Sequence, residues 1–423
     1  MRSFICSDRR EDRLVRLGAL AHAVSASFLS AYRMAATVQY TQMGVSARPG
    51  LEDTSVMRPT IVEVRLARLT ENYRAIRTAV APAAVMPIVK ANAYGHGLVD
   101  VARHLIGLGA PSLGVGLLEE AVALRDAGVT TPILVMGGIL GNQIPLFLRH
   151  GLTLTASSID KLRHIDEAAR EMGVTAKVHL KIDTGMERIG VHYYSAEGLL
   201  ERASECRHCV VEGIYSHFAN ADAADLGSAR LQLSRFLDVL QWYDKHGVSP
   251  PLRHMANSGA ILQFPESHLD MVRPGILMYG VYPSTEVRRT IAVRPAMTWK
   301  SGVVYFKVVR PGHPVSYGST WQSDHPVRVV TIPVGYGDGY FRALSNVAQV
   351  IIRGKKYPVV GRVCMDQIMV NLEWDSAYNG DEVVLLGEGG RETIACEDLA
   401  EWAGTIPYEI LTNINTRVPR VYY

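Results

Sequence analysis

Cysteine is scarce. Five occur in 423 residues (Cys6, Cys206, Cys209, Cys364 and Cys396), an odd and irregular set that argues against a disulfide framework and for a reducing, cytoplasmic setting. The one close pair, Cys206-Arg-His-Cys209, lacks the second ligand pair of a structural zinc site, so no metal is expected. Lysine is rare too: of 44 basic residues only nine are Lys, and the first is Lys90. Against 41 acidic side chains the formal net charge is +3. No Lys/Arg block marks a nucleic-acid or anionic-membrane footprint. No uninterrupted apolar run reaches the roughly 18 residues of a transmembrane helix, so neither nucleic acid nor membrane is an expected partner. A small molecule is.

What remains is an ordinary folded composition, 48% hydrophobic and 20% charged, far from the signature of disorder. The length exceeds the roughly 250–300 residues at which single cores stop growing, so two or three domains are expected. Residues 1–56 read as an N-terminal extension, disordered or following a misassigned start. Arg9, Arg10, Arg13 and Arg16 precede a moderately apolar stretch, which superficially resembles an export signal. However, His22, Ser25, Ser27 and Ser30 interrupt it, and acidic residues sit among the arginines. Met34, Met43 and Met57 are alternative starts.

From Pro59 the pattern becomes short apolar or β-branched runs alternating with amphipathic stretches, as parallel βα units require. Eight runs stand out: 84–90, 112–118, 132–138, 152–157, 177–183, 210–217, 253–259 and 271–280. Between them 69–80, 159–172 and 228–246 are long enough to be crossover helices. Eight repeats predict a (β/α)8 TIM barrel over residues 57–280. Residues 281–423 read as a mainly β C-terminal domain, with strand-like runs at 298–309, 327–334, 348–352, 357–363, 367–372 and 382–386. Helical periodicity there is confined to 394–403. The strand-like 60–66 precedes the first helix and is a candidate to pair with the later sheet.

In such a barrel, chemistry sits where the strands end. Lys90 closes the first run, in Pro87-Ile-Val-Lys-Ala-Asn-Ala-Tyr-Gly-His-Gly97, where desolvation would make its amine nucleophilic. Tyr94, Gly95 and Gly97 follow, and the glycines let backbone approach a ligand. Asn257-Ser-Gly259 and Val272-Arg-Pro-Gly-Ile276 close the seventh and eighth runs, where barrels often cradle a phosphate. A lysine, a phosphate cradle and a central arginine suggest a pyridoxal 5′-phosphate site.

These segments resemble alanine racemases. Pro87–Gly97 is similar to that family's lysine motif, and Arg273-Pro-Gly-Ile-Leu-Met-Tyr-Gly280 to its eighth-strand motif. Further similar strings follow in order: Asp183-Thr-Gly-Met-Glu-Arg-Ile-Gly190, His217-Phe-Ala-Asn-Ala-Asp222, Val315-Ser-Tyr-Gly318, Gly335-Tyr-Gly-Asp-Gly-Tyr340, Val363-Cys-Met-Asp-Gln367 and Arg417-Val-Pro-Arg420. Each string alone is weak, but the ordered set across both domains is specific. The resemblance implies a fold type III enzyme that interconverts L-alanine and D-alanine by a two-base mechanism, supplying D-alanine for peptidoglycan. It also implies a head-to-tail homodimer with shared active sites.

By the same resemblance, Lys90 carries the cofactor as an internal Schiff base and then acts as base on the D-isomer. Tyr317, from the partner subunit, acts on the L-isomer. An ordinary phenol, with its pKa near 10, needs cationic neighbours to serve as a base at neutral pH. His217 would link Tyr317 to Arg273, with His254 as a further partner of Arg273. Arg273 would face the pyridine nitrogen, where a guanidinium donates a hydrogen bond without surrendering a proton. Tyr94, Ser258, Gly275, Ile276 and Tyr408 match the phosphate-holding positions. Arg188 and the backbone N–H of Met365 would meet the substrate carboxylate. Lys181 matches a position carbamylated in many family members. Asp222, Arg342 and Arg362 resemble residues of the substrate corridor. Glu187 departs from the pattern, either competing for Arg188 or facing solvent, and Gly337 replaces a common Ala.

Three other readings share parts of this pattern. A decarboxylase on the same scaffold would place an acid opposite the pyridine nitrogen, which Arg273 argues against. A broader amino-acid racemase differs only in pocket width. A non-catalytic pyridoxal-phosphate-binding protein would resemble the barrel alone.

Overall fold

The computed structural model describes residues 58–423. The reading of 1–56 as an extension therefore lies outside the described residues. In chain order the strands are β1 (Ile61–Val64), β2 (Ala84–Val85), β3 (Leu113–Val115), β4 (Ile133–Val135), β5 (Leu154–Ala156), β6 (Ala176–Asp183), β7 (Val191–His192), β8 (Cys209–Tyr215), β9 (Leu252–His254) and β10 (Met271–Val272). Then follow β11 (Met297–Gly302), β12 (Tyr305–Val309), β13 (Val327–Ile332), β14 (Gln349–Ile352), β15 (Lys355–Pro358), β16 (Ile368–Glu373), β17 (Glu382–Gly389), β18 (Glu392–Ile394) and β19 (Arg420–Tyr422).

All eight apolar runs contain a strand, and the strands close a parallel ring. One hydrogen-bonded path runs β2-β10-β9-β8-β6-β5, and β3 pairs with β4. Parallel bridges Ile88↔Gly114 and Leu134↔Thr153 join that pair to the rest, completing the TIM barrel. The helices between follow from the sequence. In Ile159–Met172 the Ser158 side chain accepts from Lys161 N–H, and Gly173 ends the helix at φ 65°. Its buried Leu162, Ile165 and Ala169 fall on one face. Burying each of the two larger side chains is worth about 1.5–3 kcal/mol.

The β-rich remainder forms a seven-stranded sheet, with path β15-β14-β17-β11-β1-β19 and β18 attached to β17, plus a three-stranded antiparallel sheet β12-β13-β16. β1 pairs antiparallel with β11 and parallel with β19. Lys300 bridges this sheet through Glu63 at 3.0 Å and Glu382 at 3.1 Å. Helical structure after residue 390 is not confined to the predicted segment: besides Cys396–Ala403 a second helix spans Pro407–Asn413. Two turns are too short for periodicity to mark, and Pro407 at the first turn is a start signal that reads equally well as a loop. No helix among the described residues is long and apolar enough to cross a membrane. Cys206 and Cys209 gain a third neighbour that their spacing did not reveal, Asp166, and the three ligand atoms lie within 4.8 Å of one another.

Candidate active site

Lys90 follows β2, and the backbone after it is unusual. Ala91, Asn92, Ala93 and Tyr94 have φ of 53°, 56°, 53° and 52°, and Gly95 continues at 80°. Four consecutive non-glycine residues thus form a left-handed turn, which costs about 1–2 kcal/mol per residue and persists only if its surroundings hold it. The holders are visible. Asn92 Oδ1 accepts from Leu98 N–H at 2.8 Å, and the buried Glu120 accepts from Ala91 N–H at 2.5 Å. Lys90 reaches solvent, yet enough protein surrounds it that desolvation, with Arg188 and Arg273 nearby, lowers its pKa against the opposing pull of Glu120.

The turn delivers Tyr94 to the end of the eighth repeat. A Cβ built on Gly275 would stand 2.4 Å from Tyr94 Oη, so only glycine lets the hydroxyl come this close. Ser258 Oγ accepts from Gly275 N–H at 3.0 Å and from Leu277 N–H at 3.3 Å. The Tyr94 ring stacks on Tyr279 at 5.0 Å and lies 6.1 Å from that of Tyr408. Two hydroxyls, the Gly275–Ile276 backbone and Tyr408 thereby converge into a small polar cradle. Its donor set suits a phosphate.

Arg273 is 3% exposed, and both terminal nitrogens of its guanidinium are engaged. It donates to Ser216 O at 2.7 Å and Met255 O at 3.1 Å, and meets His254 Nδ1 at 2.7 Å and His217 Nδ1 at 3.3 Å. Its guanidinium lies 5.3 Å from the Tyr215 ring centroid. Desolvation lowers its pKa to about 10, which still leaves it charged at neutral pH. Desolvation first, and then the charge of Arg273, hold His217 and His254 well below the ordinary imidazole value.

Lys181 is buried on β6, donating to Ile182 O at 2.7 Å. Desolvation outweighs Asp183 and, with Arg273 and Arg188, brings its pKa to about 7. Asp183 organises the next loop by accepting from the amides of Gly185, Met186, Glu187 and Arg188 at 2.8–3.2 Å. Desolvation works upward on its carboxyl, but these amides and Lys181 prevail and its pKa falls. Glu187 does not compete for Arg188: it turns outward to His192 Nε2 at 2.9 Å.

The chain brings Lys90, Tyr94, Lys181, Arg188, His217, His254, Ser258, Arg273, Gly275, Ile276 and Tyr408 to one end of the barrel. Tyr317 and Met365 stand apart, 71% and 53% exposed. No hydrogen bond or aromatic contact among the described residues joins Tyr317 to Lys90, His217 or Arg273. Instead, Ser316 Oγ donates to Arg362 O at 2.6 Å, tying the Tyr317 turn to the segment that leads to Met365. Arg342 is likewise on the β-rich side, while Asp222 lies close enough to Tyr408 to raise that phenol's pKa beyond what burial does. Sequence reasoning missed His179, Tyr215 and Glu120. His179 lies inside β6 and Tyr215 ends β8, where a polar residue was readable as a departure from an apolar run; Glu120 carried no such signal.

The chain matches the family model for the alanine racemase N-terminal domain over residues 64–283 and that for the C-terminal domain over 296–422. It is 45% identical over 368 residues to an alanine racemase of Carboxydothermus hydrogenoformans, covering 86% of this chain and all of that one. Among solved structures, the Bacillus anthracis alanine racemase with bound L-Ala-P superposes with a TM-score of 0.81 at 36% identity, covering 86% of this chain and 95% of that one. The Bartonella henselae enzyme with covalently bound pyridoxal phosphate does so at 0.79 and 28%, covering 86% and 99%. This chain belongs to the alanine racemase family.

Proposed function

We propose that this chain interconverts L-alanine and D-alanine with pyridoxal 5′-phosphate held at the barrel mouth. The observation that carries this reading is the meeting of Lys90, its pKa lowered, the polar cradle around Ser258 and Gly275, and a buried Arg273 at one end of the barrel. Lys90 would hold the cofactor's aldehyde carbon; Tyr94, Ser258, Gly275, Ile276 and Tyr408 would hold its phosphate, and Arg273 would face its ring nitrogen. When bound, that group supplies an electron-withdrawing system that acidifies the substrate Cα–H.

The protein's residues do the rest. Arg273 donates a hydrogen bond but withholds a proton, which limits the charge drawn from Cα and disfavours transamination. Lys90, its pKa lowered, offers a larger share of free amine to take a proton on one face. Tyr317 of a second copy serves the other face, for in its own chain it is exposed and separate from the barrel site. Arg188 binds the substrate carboxylate with its fork, joined by the Met365 amide. A Lys181 with its pKa near 7 has enough free amine to attack carbon dioxide, losing one N–H proton to solvent as the N–C bond forms, and the resulting carbamate anion would orient Arg188. His217 passes the charge of Arg273 toward Tyr317 and favours its phenolate.

The D-alanine formed would supply peptidoglycan synthesis, and the sparse cysteines fit a cytoplasmic enzyme. A chiral assay against L-Ala, L-Ser and L-Lys tests the assignment. Alanine should be turned over far faster, and comparable rates on all three would make this a broader racemase. Deuterium uptake from solvent at Cα of L-alanine separates turnover from mere cofactor carriage.

A further inference from the structure

Glu120 is a buried acid that the proposed cofactor- and substrate-handling roles leave out. It sits at the third position of the helix Leu118–Asp126 and does more than cap it. One carboxylate oxygen accepts from Gly116 N–H at 2.8 Å and Leu117 N–H at 3.1 Å, the ordinary work of a capping box. The other crosses to a different repeat and accepts from Ala91 N–H at 2.5 Å. Ala91 is both the residue after Lys90 and the first of the four left-handed residues. A Cβ built on Gly116 would stand 3.5 Å from Glu120 Oε2 and 3.6 Å from Lys90 Cβ and Cδ, so carboxylate and lysine stem flank the same point.

We infer that Glu120 is a positioning residue for Lys90: it clamps the start of the left-handed turn, and its negative charge keeps the lysine amine basic enough to hold the proton it removes. The inference rests on the reading of Lys90 as the cofactor-holding base. The clamp follows from satisfiability, since three convergent N–H groups need acceptors and only a carboxylate offers enough lone pairs. The charge follows from the company of Lys90. Arg188 and Arg273 both push its amine toward the neutral form, as does desolvation, and Glu120 is the counterweight. An amine left too weakly basic would accept the substrate's proton poorly, and one made too basic would be slow to give it back, so the balance bears directly on turnover.

The test uses the apoprotein as well as the loaded enzyme. In Glu120→Gln the amide offers one acceptor and turns donors toward donors. Hydrogen exchange at Ala91 should then speed up at least about tenfold. The pH midpoint for acylation of Lys90 in the apoprotein, read by mass spectrometry, should fall by on the order of one pH unit. In Glu120→Asp the charge remains but the reach is lost, so exchange at Ala91 rises while the Lys90 midpoint stays nearer that of the parent. This variant carries the test if Glu120→Gln does not fold. A mere helix cap would loosen Gly116 and Leu117 and leave both Ala91 exchange and the Lys90 midpoint unchanged; that result overturns the inference. Lys90→Ala separates it from the reading beneath it. If that variant keeps the visible absorbance of lysine-bound cofactor, Lys90 is not the holder and the proposed function fails first.

Discussion

Arg273 Nη1 lies 2.7 Å from His254 Nδ1. A guanidinium has only protons to offer, so His254 accepts there and carries its own proton on Nε2. That nitrogen meets His179 Nδ1 at 2.9 Å, which fixes the second imidazole's tautomer in turn. Arg273 is thereby backed by a line of neutral rings, none of which can relieve it of its proton. In Arg273→Glu an acid replaces this donor, and it can share a proton with the cofactor's ring nitrogen. Racemisation should drop by at least about tenfold while transamination rises. Counting D-alanine against pyruvate formed per turnover decides the matter, and unchanged partitioning sinks the account.

The neutral histidines give stability a pH signature. His96 is held at about 4, His179 at about 3 and His254 well below the ordinary value, in each case chiefly by desolvation. In the unfolded chain all three take up a proton as pH falls through about 6.5, whereas the folded chain refuses it. Their contribution is complete above that pH and is lost as pH falls toward the folded values. The slope is about 1.4 kcal/mol per pH unit for each histidine. Urea unfolding at pH 7, 6 and 5 should show a steady loss; a flat profile would mean that these rings charge in the folded state.

Gly275 is a test of the cradle that leaves the barrel alone. The substitution Gly275→Ala acts on the space in front of Tyr94. The added methyl would meet Tyr94 Oη at 2.4 Å. Tyr94 must withdraw, and cofactor affinity should weaken by about tenfold or more, with the apoprotein's melting temperature little changed. Equilibrium dialysis of pyridoxal phosphate reads this directly, and parent-like affinity would remove Tyr94 and Gly275 from the cradle.

The placement of Tyr317 predicts complementation. Lys90→Ala and Tyr317→Phe homodimers should each lose nearly all activity. Mixed by unfolding and refolding together, half the dimers are hybrids, and in each hybrid one of two sites regains both residues. About a quarter of parent activity should return. If mixing restores nothing, the two residues serve one site from the same chain.

The barrel was legible because each strand is a short apolar run closed by a polar residue, as at Val89-Lys90 and Val272-Arg273. Helix 159–172 was equally plain, its apolar spacing and terminal Gly173 both written locally. The left-handed turn was not. Ala91-Asn-Ala-Tyr94 reads as an ordinary loop, and what holds its bend is a hydrogen bond from the Ala91 N–H to Glu120, 29 positions away. Glu120 itself hides as a routine helix-capping acid. The same limit concealed Asp166 beside Cys206 and Cys209, and His179 behind His254. Spacing reveals what neighbours in sequence do together, whereas partners across repeats need the closed ring.

β1 has both edges occupied: Val62 pairs with Trp299 on one side and Arg420 on the other. During synthesis this strand emerges more than 230 residues before β11 and more than 350 before β19. At about 5–20 residues per second it waits for its first partner on the order of ten seconds or longer. Throughout that interval a short apolar strand with two open edges precedes a folding barrel. Such an edge is a hazard for pairing with a neighbouring chain. The enzyme's yield in a cell is therefore set in part by how well β1 is shielded while the barrel and the sheet's later strands are made.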